Sequence, residues 1–150
     1  MKRAIVIDSG PLGDIVHPKL RPDVAKWLQF IKAEKIALRV AEISDYELRR
    51  NFLLEGLQKS VNNLQKFRQT KRFIPITSLM MIEAAELWAW LRQRGQATAG
   101  DKTLDGDVIL AAQALSLKDS FDEIILSLRI QSIDTDLIVL VSRFGIGSKP

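Results

Sequence analysis

Short β-branched runs of this chain alternate with longer segments whose apolar residues recur at three- and four-residue intervals. The runs at 3–7, 36–41, 73–76, 123–128 and 137–142 read as strands, the third of them broken by Pro75. Between them, 22–35 carries Val24, Trp27, Leu28 and Ile31 at helical spacing. Segments 44–57, 60–72, 78–94 and 104–118 read as further helices, with Gly95 as the cap of 78–94 and 96–103 as a polar loop. Strands joined through helices cannot pair as hairpins, so this order predicts a mostly parallel sheet with helices on both faces. At 150 residues, 47% of them hydrophobic, the chain is expected to form one α/β domain over 1–150.

Composition narrows the chemistry. With no cysteine there are no disulfides, thiolate zinc sites or cysteine nucleophiles. The single imidazole, His17, precedes Pro18 and reads as a loop residue rather than one member of a triad. No apolar stretch approaches the roughly 18 residues of a membrane span. The run after Met1-Lys2-Arg3 is cut by Asp8 and is too short for a signal peptide, so a cytoplasmic protein without membrane contact is expected. Enzymatic work would then rest on carboxylates, which favour hard divalent cations. A net charge of +4 is compatible with a polyanionic partner.

Three acids stand out by position. Asp8 closes the first strand, where ligand sites of parallel sheets lie; it reads equally as a turn aspartate bonding nearby amides. Projecting 43–57 at ~100° per residue gathers Ile43, Tyr46, Leu53, Leu54 and Leu57 on one presumptive core face, with Glu47 at its edge and Asp45 toward solvent. A carboxylate there needs a partner, either a cation or Arg50 within the helix. Asp107 falls in the first turn expected for the last helix, and Asp105 reads as its N-cap.

In order and spacing these residues resemble the PIN-domain family, in particular the VapC-type toxins of toxin–antitoxin pairs. Ile5-Val6-Ile7-Asp8-Ser9 is similar to the family's opening strand motif. Asp45-Tyr46-Glu47-Leu48-Arg49-Arg50 is similar to its second motif, and Asp107-Val108-Ile109-Leu110-Ala111-Ala112-Gln113-Ala114 to its third. The resemblance covers about 3–125. It implies a three-layer α/β/α fold and Mg2+- or Mn2+-dependent endoribonuclease activity on RNA, with Asp8, Glu47 and Asp107 as ligands. It also implies inhibition by a cognate antitoxin protein and frequent homodimerisation. Arg49 and Arg50 are the candidates for substrate phosphates. From about Leu126 the chain departs from the family, lacking the usual Thr-Thr-Asn or Thr-Asn/Asp motif after the fourth strand; Asp136, then Asp134, are the candidates for a fourth ligand. This departure motivates the alternative of a catalytically degenerate PIN domain that binds RNA or antitoxin without cleavage. A phosphoacceptor domain using Asp8 is disfavoured, because neither late strand carries the lysine such a site requires.

Overall fold

The computed structural model describes residues 1–94, 101–127 and 137–139. Five strands form one sheet in the order β3-β2-β1-β4-β5. They are β1 (Arg3–Ile7), β2 (Ala37–Ala41), β3 (Phe73–Ile74), β4 (Glu123–Ser127) and β5 (Leu137–Val139). The first four run parallel, and β5 pairs antiparallel with β4. Six helices complete the described chain: α1 (Ser9–Val16), α2 (Pro22–Ala33), α3 (Glu42–Glu55), α4 (Gln58–Arg68), α5 (Ser78–Gln93) and α6 (Asp101–Leu115). No helix among the described residues is long and apolar enough to cross a membrane.

The two-residue period of β1 divides the core into two layers. Ile5 and Ile7 point to one face, packing with Leu12 of α1, Val24, Trp27 and Ile31 of α2, and Leu64 of α4. Val6 points to the other, packing with Met80, Ala84 and Leu87 of α5 and Val108, Leu110, Ala112 and Leu115 of α6. Helix α3 serves both layers, Ile43 joining the second and Leu48 and Phe52 the first. The result is the expected three-layer α/β/α fold with a mostly parallel sheet. The chain winds outward from β1 through β2 to β3, then returns to the opposite side of β1 as β4. The crevice between the carboxyl ends of β1 and β4 is therefore the topological switch point.

The start of α3 depends on distant groups. Its N-cap, Ala41, has no side chain able to accept from the first-turn amides. Gln113, fully buried on α6, supplies that acceptor: its Oε1 takes the Ile43 N–H at 3.1 Å, while its Nε2 donates to the Ile74 carbonyl at 2.6 Å. Ser44 Oγ donates to the Ile7 carbonyl at the end of β1 (3.2 Å), and Glu42 Oε1 accepts from the Ile76 N–H (2.9 Å). One helix start is thus tied to β1, to the segment after β3 and to α6.

Three expectations change here. The segment after Asp8 is the helix α1, where a turn was expected: Leu12 N–H bonds the Asp8 carbonyl at 3.1 Å, and Pro11 lies in the first turn, where proline lacks only an amide that would be unpaired anyway. Helix α6 begins at Asp101, about a turn before the expected 104. Of the core face expected for α3 only Ile43 packs inward: Tyr46, Leu53, Leu54 and Leu57 are exposed, Leu54 to 86%, whereas Ser44 and Asp45 are buried. Gly95 and positions 96–100 of the expected loop lie outside the described residues, and its positions 101–103 are the first residues of α6.

Replacing Gln113 with Leu would remove the side-chain partner of the part-buried Ile43 amide and of the buried Ile74 carbonyl, at about 1–3 kcal/mol for a fully buried group and less for the amide. Gln113→Leu should therefore lower the urea midpoint strongly with little change in slope. A midpoint equal to that of the unmodified protein would show that the two groups find other partners.

Candidate acidic centre at the switch point

Asp8 follows the last residue of β1 and is the N-cap of α1, with Oδ1 accepting from the Ser9 N–H at 2.7 Å. Its side chain thus bonds a nearby amide, as the cap of a helix rather than in a turn, at the end of the central strand. Glu47, partly buried on the second turn of α3, reaches the same place, because α3 starts directly after β2, the neighbour of β1. Asp107 comes from the second turn of α6, whose apolar residues pack on the sheet. The earlier start of α6 places Asp105 inside the helix and exposed, not at its N-cap. Asp107 is exposed as a residue, although part of its carboxyl is buried.

The three carboxylates share one electrostatic neighbourhood. Burial raises the pKa of Glu47 above its ordinary value, and the negative charges of Asp8 and Asp107 raise it further; Arg50 and the Ser9 side chain act in the opposite direction. Asp107 is raised as well, first by partial burial of its carboxyl and then by Asp8. Glu47 approaches α6 closely, its carboxylate lying over the Cα of Gly106 beside Asp107.

Among the described residues, no group of three or more His, Cys, Asp or Glu side chains is gathered tightly enough to hold a metal ion as it stands. The donor set nevertheless suits a hard cation. Three carboxylates from three elements repel one another, and each gains from a shared positive charge. Asp134 and Asp136 lie outside the described residues.

The neighbouring face of α3 carries a second set of charges that sequence spacing misassigned. Asp45, expected in solvent, is 2% exposed and grips Arg49 through two hydrogen bonds, Nε–Oδ1 at 2.8 Å and Nη2–Oδ2 at 3.0 Å. Arg68 joins them from α4, 2.7 Å from Glu42 and 4.0 Å from Asp45. The guanidinium of Arg49 is therefore engaged. Arg50 lies over the Tyr46 ring at 5.3 Å and also acts on Glu47, so it is the arginine of the pair that borders the acidic centre. The other cations on and around α4, Lys59, Lys66, Lys71 and Arg72, are exposed. His17 is an exposed loop residue whose Nδ1 meets the backbone of Lys19.

The raised pKa values have a stability consequence. An acid whose folded pKa exceeds its unfolded value favours the fold when protonated. That contribution is complete below the ordinary values, 4.5 for Glu47 and 3.8 for Asp107, and is lost as pH rises through the raised folded values. In chelator at neutral pH, Glu47→Gln and Asp107→Asn should each raise the melting temperature, Asp107→Asn by less because solvent screens its exposed carboxyl. Both gains should shrink as the pH is lowered toward those ordinary values. Lower melting temperatures for both variants at neutral pH would contradict the mutual repulsion.

No protein-family model matches the sequence, and no characterised protein matches it. Two solved structures resemble the fold. A crystal structure of FitAcB from Neisseria gonorrhoeae is 22% identical over 76% of this chain and 82% of its own, with a TM-score of 0.49. A structure of FitAB bound to an IR36 DNA fragment is 20% identical over 75% of this chain and 78% of its own, with a TM-score of 0.51. At this identity the likeness to the FitAB structure is one of fold: the chain shares the α/β/α architecture, built on a central parallel sheet.

Proposed function

We propose that this protein is a divalent-metal-dependent endoribonuclease of the PIN type and the toxin of a toxin–antitoxin pair, with Asp8, Glu47 and Asp107 as its metal ligands. The observation that supports the reading is that three acids from separate elements act together: Glu47 on α3 is raised by the charges of Asp8, at the end of β1, and of Asp107 on α6, and its carboxylate lies against Gly106, next to Asp107. Bound there, Mg2+ or Mn2+ would supply a water of lowered pKa and stabilise charge on a phosphodiester in transition. The chain's own part is to hold its carboxylates in place. Asp8 is fixed by its cap to Ser9, and Glu47 by the tied start of α3. Arg50, at the rim, is suited to a phosphate of the RNA, with Arg49 a weaker candidate because Asp45 occupies it. Asp136 is the proposed fourth ligand, with Asp134 in reserve.

A protein partner fits the exposed apolar residues Leu53 and Leu54 on α3, Leu57 at the N-cap of α4, and Leu79, Met81 and Ile82 on α5. We assign them to contacts with an antitoxin or a second copy of this chain. The tryptophans of α5 are less suited, since both are partly buried and lie beneath Arg92 and Arg94.

The second reading, a PIN domain that binds RNA or antitoxin without cutting, is favoured by the absence of a closed metal-binding set among the described residues and by the divergent tail. Calorimetry with MnCl2 and incubation with total RNA separate the two. The nuclease reading predicts Mn2+ binding that Asp8→Asn, Glu47→Gln and Asp107→Asn each weaken by about tenfold or more, and RNA cleavage abolished by Asp8→Asn. Mn2+ binding without cleavage would establish the degenerate domain. Unchanged Mn2+ affinity in all three variants would remove the metal centre altogether.

A further inference from the structure

Gly106 is an unexpected residue in its position. It lies within α6, where glycine costs about 0.5–1 kcal/mol relative to alanine. Its backbone gives no reason for the choice, since it lacks the positive φ that Gly56 shows at the end of α3. What distinguishes the position is space. A Cβ built on Gly106 would collide with Oε1 of Glu47 and lie 3.6 Å from its Cδ. The obstacle is the end of a flexible side chain, not backbone, so a methyl group there would push the carboxylate aside and leave the two helices where they are.

We infer that Gly106 is a positioning residue: by having no side chain, it lets the Glu47 carboxylate lie against α6 immediately before Asp107, and so fixes where the acid from α3 stands. Helices α3 and α6 are held together independently by the Gln113 bridge to the Ile43 amide. Glycine therefore sets the carboxylate and not the helix packing. The inference rests on the reading of Asp8, Glu47 and Asp107 as ligands of one cation, and deepens it: a ligand that must approach the neighbouring helix selects the residue it approaches.

The test is a double-mutant cycle on the full chain, comparing the unmodified protein, G106A, E47D and G106A/E47D by calorimetry with MnCl2 and by melting in chelator. G106A should not lower the melting temperature, because alanine is the better helix former. It should weaken Mn2+ binding by about tenfold, the usual scale for disturbing a ligand's support. In the E47D background the carboxylate is one methylene shorter and does not reach residue 106, so adding the alanine should change affinity by less than about twofold. Equal affinity of G106A and the unmodified protein, or the same loss in both backgrounds, would overturn the inference. A metal-free measurement decides it separately: the 13C carboxyl resonance of Glu47, assigned through its loss in E47Q, should shift in G106A. If the unmodified protein binds no Mn2+, the metal reading fails, and this resonance alone decides the role of Gly106; an unmoved signal would refute it.

Discussion

Repulsion among the carboxylates of Asp8, Glu47 and Asp107 is the constraint to which the surrounding structure answers. Burial raises the pKa of Glu47 and Asp107, the charge of Asp8 raises both further and that of Asp107 adds to Glu47, so these like charges oppose the fold that gathers them. Such an arrangement persists only if the rest of the molecule over-determines it. Asp8 is held at the end of the central strand, buried on both faces by two separate hydrophobic layers. Glu47 rides on α3, whose first turn is bonded to β1, to the segment after β3 and to α6. Stability invested in the sheet and its layers thus offsets an electrostatic cost concentrated at one end of it.

The same arrangement explains why polar residues are buried beside the centre. Gln113, Ser44 and Asp45 are each at most 2% exposed. Gln113 and Ser44 satisfy backbone groups left open where α3 meets the sheet, and Asp45 locks Arg49. Buried ion pairs contribute little net stability but fix geometry once made. Asp45 and Arg49 therefore shape the face of α3 adjoining Glu47. Arg50, one residue further on, remains at the rim of the acidic centre.

Much of this was legible in the chain, and the failures have physical causes. Helices α2 and α5 and strands β1, β2 and β4 follow from apolar periodicity, because each buries one stripe or a continuous run. The acids Asp8, Glu47 and Asp107 were legible from their positions relative to those elements. Helix α1 was hidden because Ser9-Gly10-Pro11 has the composition of a turn, although proline in a first turn and aspartate before it also open a helix. The face of α3 was misread because its buried side carries Ser44 and Asp45, made tolerable by Ile7 and Arg49, while Tyr46, Leu53 and Leu54 face outward. Periodicity counts apolar residues and cannot see a distant hydrogen-bond partner. Gly106 carried a signal of a different kind: a glycine inside a helix, next to an acid, with no backbone reason for it.

Paramagnetic broadening by Mn2+ tests the central claim most directly, because it reports where on the chain a cation sits without requiring activity. In 15N-labelled protein, substoichiometric MnCl2 should first broaden the amide signals of Asp8 and Ser9, Glu47, and Gly106 and Asp107, three separated segments at once, and excess Mg2+ should restore them. Broadening spread evenly over the acidic surface, or confined to one of the three segments, would contradict a single centre shared by β1, α3 and α6.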